Sequence, residues 1–360
     1  MRVISETTPL SLLGPFLLLA AGSLASAQPG ARSDCRDDQL VDRCAEDQQS
    51  RVRALFGVGS IEEHRSAGDQ VRRVFYVDGY GRDLVAISFV RARGRDPVVW
   101  VHYPRQEGQP RPEPLQAPVP QAVWDDIFRR SRNFDRSFAP RPDDDPSVIR
   151  MCIHPWVYTI EGTDPAIGNQ PGTSRRKTES ACEGGPGAFY AHEVERAALS
   201  LLPHCAALDR SQHRREASML DACRMLRGDR LAAAEVLNLA GAFGRASTPE
   251  EAGLIYGRFG YRAIVDWNGS SNEGPGSALG FWIRKRVEEG RASFFVQSVD
   301  GESADRVRLL AMLSRSIEVP EGQERRYESA RVEQIWVRGQ GVDFTIESAT
   351  VGPWEPARPN

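Results

Sequence analysis

The sequence is poor in lysine: of its 46 basic residues, only Lys177 and Lys285 are lysines. With 49 acidic residues the formal net charge is −3. A chain this close to neutrality lacks the strongly basic surface of a general nucleic-acid-binding protein, so we expect no nucleic-acid partner. The arginine excess fits a compositional bias of the source better than it fits a separate function for every arginine.

Long hydrophobic runs are also missing. After residue 27 no segment approaches the roughly 20 apolar residues of a membrane-spanning helix, so we expect no transmembrane segment there. The apolar run Leu10–Ala21 is too short to span a bilayer and is interrupted at Pro15. Because Arg2 precedes it and Ala25-Ser26-Ala27 follows it, the pattern favours a cleaved signal peptide over residues 1–27 rather than a membrane anchor. We therefore expect a periplasmic or secreted protein.

Motifs that commit a chain to one chemistry are absent. The sequence has no serine-hydrolase elbow, P-loop or dinucleotide fingerprint. The stretch H-E-V-E-R, His192–Arg196, lacks the second histidine of a zinc-binding H-E-x-x-H helix, and there is no C-x-x-C spacing. Asp300–Ser303 reads D-G-E-S but lacks the repeated acidic positions of a calcium loop. We expect no cofactor and no metal.

All six cysteines follow the proposed signal peptide, and an even number in an exported chain indicates disulfides. Apolar residues recur at helical spacing around Cys205 and again around Cys223, with the polar stretch Asp209–Glu216 between them. Two antiparallel helices joined there bring both cysteines to similar heights, which predicts a Cys205–Cys223 bond. We pair the four remaining cysteines as Cys152–Cys182 and Cys35–Cys44, although the residues alone leave that connectivity open.

Turn chemistry and periodicity predict an α+β fold: two similar antiparallel α+β domains with an all-helical hairpin block between them. Strands are predicted at 71–77, 84–91, 97–103, 148–160, 261–267, 279–287, 292–299, 330–337 and 342–351. Helices are predicted near 40–56, 119–128 and 231–243, and over 303–317. The predicted organisation is a signal peptide at 1–27, an N-terminal domain at 28–165, a polar loop at 166–187, a helical block at 188–244, a C-terminal domain at 245–351 and a tail at 352–360.

Two stretches suggest an internal duplication. W-V-Y-T-I-E-G, Trp156–Gly162, resembles V-D-F-T-I-E-S, Val342–Ser348, and Ile87–Arg91 lies opposite Phe281–Lys285 in the same order along the chain. Shared β-favouring residues in unrelated strands are the alternative explanation. Duplicated domains would make Glu161 and Glu347 equivalent, although glutamates at strand ends are mostly solvated.

Candidate catalytic residues are His154, Glu161 and His192. His154 shares a strand face with Cys152 and Trp156 by period two, and it would enter a cleft if that face is open. The alternative for each histidine is a structural role, with its ring nitrogens hydrogen-bonded at the edge of the core or on the surface.

These features favour a non-catalytic binding or interaction module of the cell envelope. Its ligand is unknown, and another envelope protein is the candidate partner. The alternative is a secreted or periplasmic hydrolase that uses His154 with a nearby carboxylate. A histidine in a cleft within hydrogen-bonding reach of a carboxylate would favour the enzyme.

Overall fold

The computed structural model describes residues 43–106, 108–139, 154–164, 166, 171–180, 184–213, 215–245, 258–288, 293–317, 326–339 and 343–357. The chain divides into two compact units, residues 1–51 and 52–360. The predicted signal peptide, Cys35, Cys152 and Cys182 lie outside the described residues. The pairings Cys35–Cys44 and Cys152–Cys182 and the predicted domain boundaries therefore stay predictions.

The first sheet is antiparallel throughout, with six strands in the order β4-β3-β2-β1-β5-β6. Its strands are β1 Gln70–Val77, β2 Asp83–Arg91, β3 Val98–His102, β4 Leu115–Pro118, β5 Val157–Asp164 and β6 Thr173–Ser180. The β1–β2 turn forms where its sequence predicts it, because Asp78 Oδ1 accepts hydrogen bonds from the backbone N–H groups of Tyr80 and Arg82.

Two connections in this half were predicted wrongly. The segment between the predicted strand 97–103 and the predicted helix 119–128 was assigned no strand, yet it contributes β4 at the sheet edge. The polar segment predicted as a loop over 166–187 contains β6, which pairs with β5 at the other edge. The strand predicted over 148–160 begins only at Val157 among the described residues. Edge strands need only one pairing face, so proline and polar residues are tolerated there.

The helices of this part of the chain are α1 Arg43–Phe56, α2 Ile61–Ala67, α3 Gln121–Asp125 with a π-helical continuation Asp126–Arg130, and α4 Arg132–Ser137. Helix α1 ends as predicted at Gly57, whose φ of +68° is accessible to glycine at little cost. Helix α2 begins with a capping box in which Ser60 and Glu63 satisfy each other's backbone N–H groups.

The helical block consists of α5 Pro186–Ser200, α6 Pro203–Ala206, a 3₁₀ turn Arg210–Gln212, α7 Glu216–Cys223 and α8 Arg230–Arg245. Pro203 starts a new helix, a position that suits proline because the first helical N–H has no intrahelical partner. Asp229 caps α8 by accepting a hydrogen bond from the backbone N–H of Ala232. Tyr76 on β1 donates to the Ala191 carbonyl oxygen on α5 at 2.7 Å, which ties the block to the first sheet.

The second sheet is mixed, with the order β7-β10-β11-β12-β13-β8-β9 and a further strand, β14, on β12. Its elements are β7 Leu226–Gly228, β8 Phe259–Trp267, β9 Ser270–Glu273, β10 Ser293–Ser303, β11 Arg306–Ile317, β12 Arg326–Arg338, β13 Phe344–Val351 and β14 Glu355–Pro356, with helix α9 Pro275–Glu288 against it. The β7–β10 and β13–β8 pairs are parallel, so this sheet departs from the antiparallel arrangement expected of both halves.

Two elements of this half have the opposite type to the prediction. Residues 279–287 form part of α9 rather than a strand: Ala278, Trp282 and Arg286 are buried at a spacing of four residues. Residues 306–317 form β11 rather than a helix, because the alternate residues Val307, Leu309, Ala311 and Leu313 are fully buried. In each case the spacing of the buried residues matches the element that forms, four residues in the helix and two in the strand, whereas the content of β-branched residues does not.

The α+β fold class is confirmed, whereas the duplication is not. The helix at 275–288 removes the correspondence between Ile87–Arg91 and Phe281–Lys285, because the former is a strand. The match between Trp156–Gly162 and Val342–Ser348 survives as two strands, β5 and β13. The duplication stays a prediction resting on the latter pair.

A continuous apolar core joins the helical block to both sheets, with Trp124, Trp282 and Trp336 among its largest buried side chains. None of the helices in the described part of the chain has both the length and the apolar character needed to cross a bilayer.

The Cys205–Cys223 disulfide is present as predicted, with 5.3 Å between the two Cα atoms. Cys205 lies in α6 and Cys223 is the last residue of α7, and both are buried. The bond closes a loop over a sequence separation of 18 residues, which includes the 3₁₀ turn and the whole of α7.

Replacing both cysteines with alanine should lower the free energy of unfolding by about 3 kcal/mol, because the open loop gains conformational entropy in the unfolded chain. Chemical denaturation of the Cys205→Ala/Cys223→Ala variant and the wild type, both without reductant, measures the difference. An unchanged denaturation midpoint would contradict this role of the bond.

Candidate functional site

A cavity of about 540 Å³ opens between α4, α5 and the start of α7. Three chain segments supply its lining residues, which are Asn133, Phe189, His192, Glu193, Arg196, Arg215 and Glu216. We call this space the α5–α7 cavity. It combines one aromatic ring with charged groups of both signs.

The lining residues of α5 follow from helical periodicity. Phe189, His192, Glu193 and Arg196 are three or four positions apart, so they share one face of the helix. Pro186 at the first turn sets where the helix begins and hence which face meets the cavity. The ring of Phe189 is 56% exposed, which leaves apolar surface available at the cavity.

Glu193 does not offer a free charge to the cavity. Its two carboxylate oxygens accept hydrogen bonds of 2.6 Å from Ser131 Oγ and Asn133 Nδ2. Ser131 also caps α4. Glu193 therefore connects the start of α4 to α5 and fixes one wall of the cavity.

Behind the cavity wall lies Glu195, which is completely buried. Its Oε1 atom is 2.5 Å from His192 Nδ1, and its Oε2 atom accepts a 3.1 Å hydrogen bond from the backbone N–H of Ala217 in the first turn of α7. Helix α7 has no capping side chain of its own, so Glu195 satisfies one of its unpaired N–H groups. Burial raises the pKa of Glu195, and the bond to His192 opposes that rise.

The proton position on His192 follows from its two neighbours. Arg215 Nη1 is 3.2 Å from His192 Nε2, and a guanidinium can only donate. In this arrangement Nε2 accepts, so the ring proton is on Nδ1 and is donated to Glu195. The Glu195 hydrogen bond raises the pKa of His192, whereas partial burial and the charge of Arg196 lower it.

Arg215 is the residue before α7, and its side chain extends to the first sheet. Its guanidinium donates to the Tyr158 hydroxyl on β5 and lies over the ring of Trp156, with Cζ 4.7 Å from the ring centroid. Burial lowers the pKa of Arg215. No carboxylate of the described residues forms an ion pair with Arg215, which is therefore held by neutral groups.

Among the residues that the structure describes, two groups of side chains have the composition of metal sites, and neither fits a metal as arranged. His192, Glu195 and Glu216 have ligand atoms within 4.8 Å of one another, but the Nδ1 atom facing Glu195 carries the ring proton and has no lone pair to give. His204 lies beside Cys205 and Cys223, whose sulfur atoms are joined in the disulfide and cannot act as thiolates.

Glu161 lies far from the expected solvated position. It is 1% exposed and surrounded by three guanidinium groups: Arg73 Nη1 at 3.2 Å, Arg176 Nε at 2.8 Å and Arg53 Nη1 at 3.6 Å. Arg73 is directly opposite Glu161 in the β1–β5 register and is equally buried. By contrast, the carboxylate of Glu347 is half exposed and pairs with Arg306 at 2.8 Å, as expected of a solvated residue.

His154 does not lie in a strand or at a carboxylate. Its φ is +58°, its Nδ1 atom is 2.9 Å from the Gly79 carbonyl oxygen, and its ring contacts that of Tyr80 at a tilt, with 4.6 Å between the centroids. A side chain at position 79 would collide with the His154 backbone, since a Cβ there would be 2.2 Å from its carbonyl oxygen. These contacts indicate a structural role in which His154 packs against the β1–β2 turn.

The three predicted site residues do not come together. Tyr158 on β5 points toward His192, and Glu161, three positions later on that strand, points to the opposite face of the sheet. Sequence reasoning missed Glu195 and Arg215. The spacing of His192 and Glu195 by three residues was the available signal for the first, because such pairs face each other on a helix.

No known protein-family model matches the sequence, and no curated protein matches it. Several small solved structures match about a third of this chain over nearly their whole length. A DUF4783 family protein from Bacteroides uniformis has 13% identity and a TM-score of 0.24 and covers 31% of this chain and 94% of its own. A ketosteroid isomerase-like protein from Erwinia carotovora atroseptica has 10% identity, coverages of 36% and 98%, and a TM-score of 0.27.

A protein of unknown function with a cystatin-like fold from Nostoc punctiforme has 14% identity, coverages of 37% and 98%, and a TM-score of 0.29. The α+β class of the present chain is evident from its own helices and sheets.

Replacing Glu161 with glutamine should lower the free energy of unfolding by about 3 to 5 kcal/mol, because the buried Arg73 charge then loses its counter-ion. The matched control is Glu347→Gln, which breaks an exposed ion pair and should cost less than about 1 kcal/mol. Equilibrium denaturation of both variants at neutral pH measures the two changes. Equal losses of stability would contradict a structural role for the Glu161 cluster.

Proposed function

We propose that the chain is an exported, disulfide-stabilised binding protein of the cell envelope and that its ligand site is the α5–α7 cavity. The observation that carries the proposal is the cavity itself, where Phe189, His192, Arg196 and Arg215 converge in a space of about 540 Å³. Binding sites for small molecules have volumes of about 300 to 1,000 Å³ and a few well-placed polar groups beside apolar surface.

Export is supported by the N-terminal pattern and by sulfur chemistry. Arg2, the apolar run Leu10–Ala21 and the small residues Ala25–Ala27 follow the order of a cleaved signal peptide. The Cys205–Cys223 disulfide agrees with an oxidising compartment, since such bonds are rare in a reducing cytosol. An envelope protein or a small molecule of the envelope is the partner class that this location implies.

A hydrolase is the second candidate, supported by the 2.5 Å contact between His192 Nδ1 and Glu195 Oε1. A carboxylate that orients a histidine is the arrangement of a general base. The sequence favoured His154 in this role, but its ring is engaged with the Gly79 carbonyl oxygen.

Ligand binding is tested by titrating the full chain with small anionic, neutral and cationic compounds while recording heat and thermal stability. A compound that binds in the cavity should lose about tenfold in affinity in Phe189→Ala, because contact surface at the site is removed. Phe295→Ala is the matched control: that ring is 57% exposed on β10 and should leave affinity unchanged.

The same compounds, incubated with the chain and followed for product, separate the two candidates. If an ester is hydrolysed by the wild type but not by His192→Gln, the result would favour the hydrolase and contradict a non-catalytic binding protein. Binding that is equally weakened by both phenylalanine variants would place the ligand elsewhere and overturn the cavity as the site.

Export is tested by measuring the intact mass of the native protein before and after reduction. The protein should begin at Gln28, and each disulfide should gain a pair of hydrogen atoms on reduction. An unprocessed leader, or free thiols at Cys205 and Cys223 in native material, would contradict the proposal.

A further inference from the structure

We propose that the α5–α7 cavity binds a small oxyanion, a carboxylate or a sulfate-like group, through Arg196 and Arg215, and that protonation of His192 strengthens this binding. The inference rests on the proposed binding function and names its ligand chemistry and its regulation.

Arg196 and Arg215 are the positive groups available at the cavity. Arg196 is exposed, and no hydrogen bond or ion pair joins it to another side chain of the described residues. Arg215 contacts the Tyr158 hydroxyl, His192 and the Trp156 ring, which are all uncharged when His192 is neutral. Guanidinium groups bind carboxylates and related oxyanions through two parallel N–H donors.

Many arginines elsewhere in the described chain already have such partners. Arg73 pairs with Glu161, Arg315 with Glu328 and Arg338 with Glu235. At the cavity, Glu193 is occupied by Ser131 and Asn133. Glu216 has Arg210 as its ion-pair partner, at 3.8 Å. The carboxylates present therefore leave both cavity guanidiniums open to an external anion.

The contact between Arg215 and His192 depends on the protonation state of the imidazole. Neutral His192 accepts from Arg215 Nη1 through Nε2 at 3.2 Å. Protonated His192 carries hydrogen on both ring nitrogens and can accept nothing, so a like charge replaces a hydrogen bond. Protonation would thus release Arg215 toward a bound anion and would add a second positive charge beside it.

The groups around His192 set the direction of the pH dependence. Glu195, Glu193 and Arg196 share its helix, Arg215 and Glu216 face it from the start of α7, and Tyr158 faces it from β5. The Glu195 hydrogen bond, together with the charge of Glu216, raises the pKa of His192 above its usual 6.5, against burial and Arg196. His192 is therefore charged below that raised pKa, and anion affinity should fall as the pH rises through it.

The test uses calorimetric titration of the full chain with sulfate and with benzoate, which both keep a constant charge from about pH 5.5 to about pH 8.5. The wild type should bind at least one of them about tenfold more tightly at the lower pH, within the usual range of coupling between two sites. Tighter binding of benzoate would indicate that the Phe189 ring contributes. Tighter binding of sulfate would indicate recognition by charge alone.

Three variants assign the effect. His192→Gln is neutral at every pH and should bind with an affinity that no longer changes with pH. Arg196→Gln and Arg215→Gln should each weaken binding about tenfold at the lower pH. Arg227→Gln is the matched control: this exposed arginine on β7 lies outside the cavity, and its loss should change neither the affinity nor its pH dependence. Thermal denaturation of each variant confirms that it is folded.

The outcomes separate this inference from the proposed function. If neither anion binds the wild type at the lower pH while a neutral or cationic compound does so in a Phe189-dependent manner, the anion site is wrong and the binding function stands. If His192→Gln keeps the pH dependence of the wild type, the role of His192 is wrong. If Arg227→Gln weakens binding as much as Arg196→Gln, the anions respond only to net charge and the proposed site is overturned.

Discussion

The cavity depends on one buried carboxylate. Glu195 has no exposure to solvent, and its two oxygens connect elements that are distant in sequence: His192 on its own helix and the backbone N–H of Ala217 in α7. A buried carboxylate is costly unless its oxygens are paired, so the start of α7 has little freedom to move away. This contact fixes where Arg215, two residues before Ala217, enters the cavity.

The opposite end of α7 is fixed by sulfur. Cys223 is the last residue of the helix and is bonded to Cys205 in α6. A helix of eight residues is too short to be stable alone, and here both of its ends are attached to other helices. The side chains at its start therefore keep a defined position relative to α5, which a binding site needs.

Buried arginines elsewhere show why this side chain suits the fold. Arg72 lies between the rings of Phe128 and Phe134, with Cζ 3.8 Å from each centroid, and donates to Asp164. Burial lowers its pKa, but the flat guanidinium can stack on rings and donate in several directions at once. A lysine ammonium is not planar and cannot stack in this way. At these positions the arginine-rich composition has a structural use, whatever its origin.

The sequence predicted the first sheet better than the second for a physical reason. Strands β1 to β3 are joined by turns whose residues, such as Asp78, make local hydrogen bonds that specify the turn. In the second half, Val307, Leu310 and Leu313 fit a helix while Val307, Leu309 and Leu313 fit a strand, so periodicity alone gave two answers. The pairing of β11 with β10 and β12 decides between them, and those partners are not local.

The same distinction applies to the site. His192 and Glu195 are three residues apart on a helix, so their contact could have been predicted from spacing. Arg215 is 23 residues from His192, and only the packing of α7 on α5 brings them together. Yet it is Arg215 that determines which ring nitrogen carries the proton, because a guanidinium cannot accept a hydrogen bond. The protonation state of His192 is therefore set by a tertiary contact with Arg215 together with the local contact with Glu195, and only the second follows from the spacing of residues in the sequence.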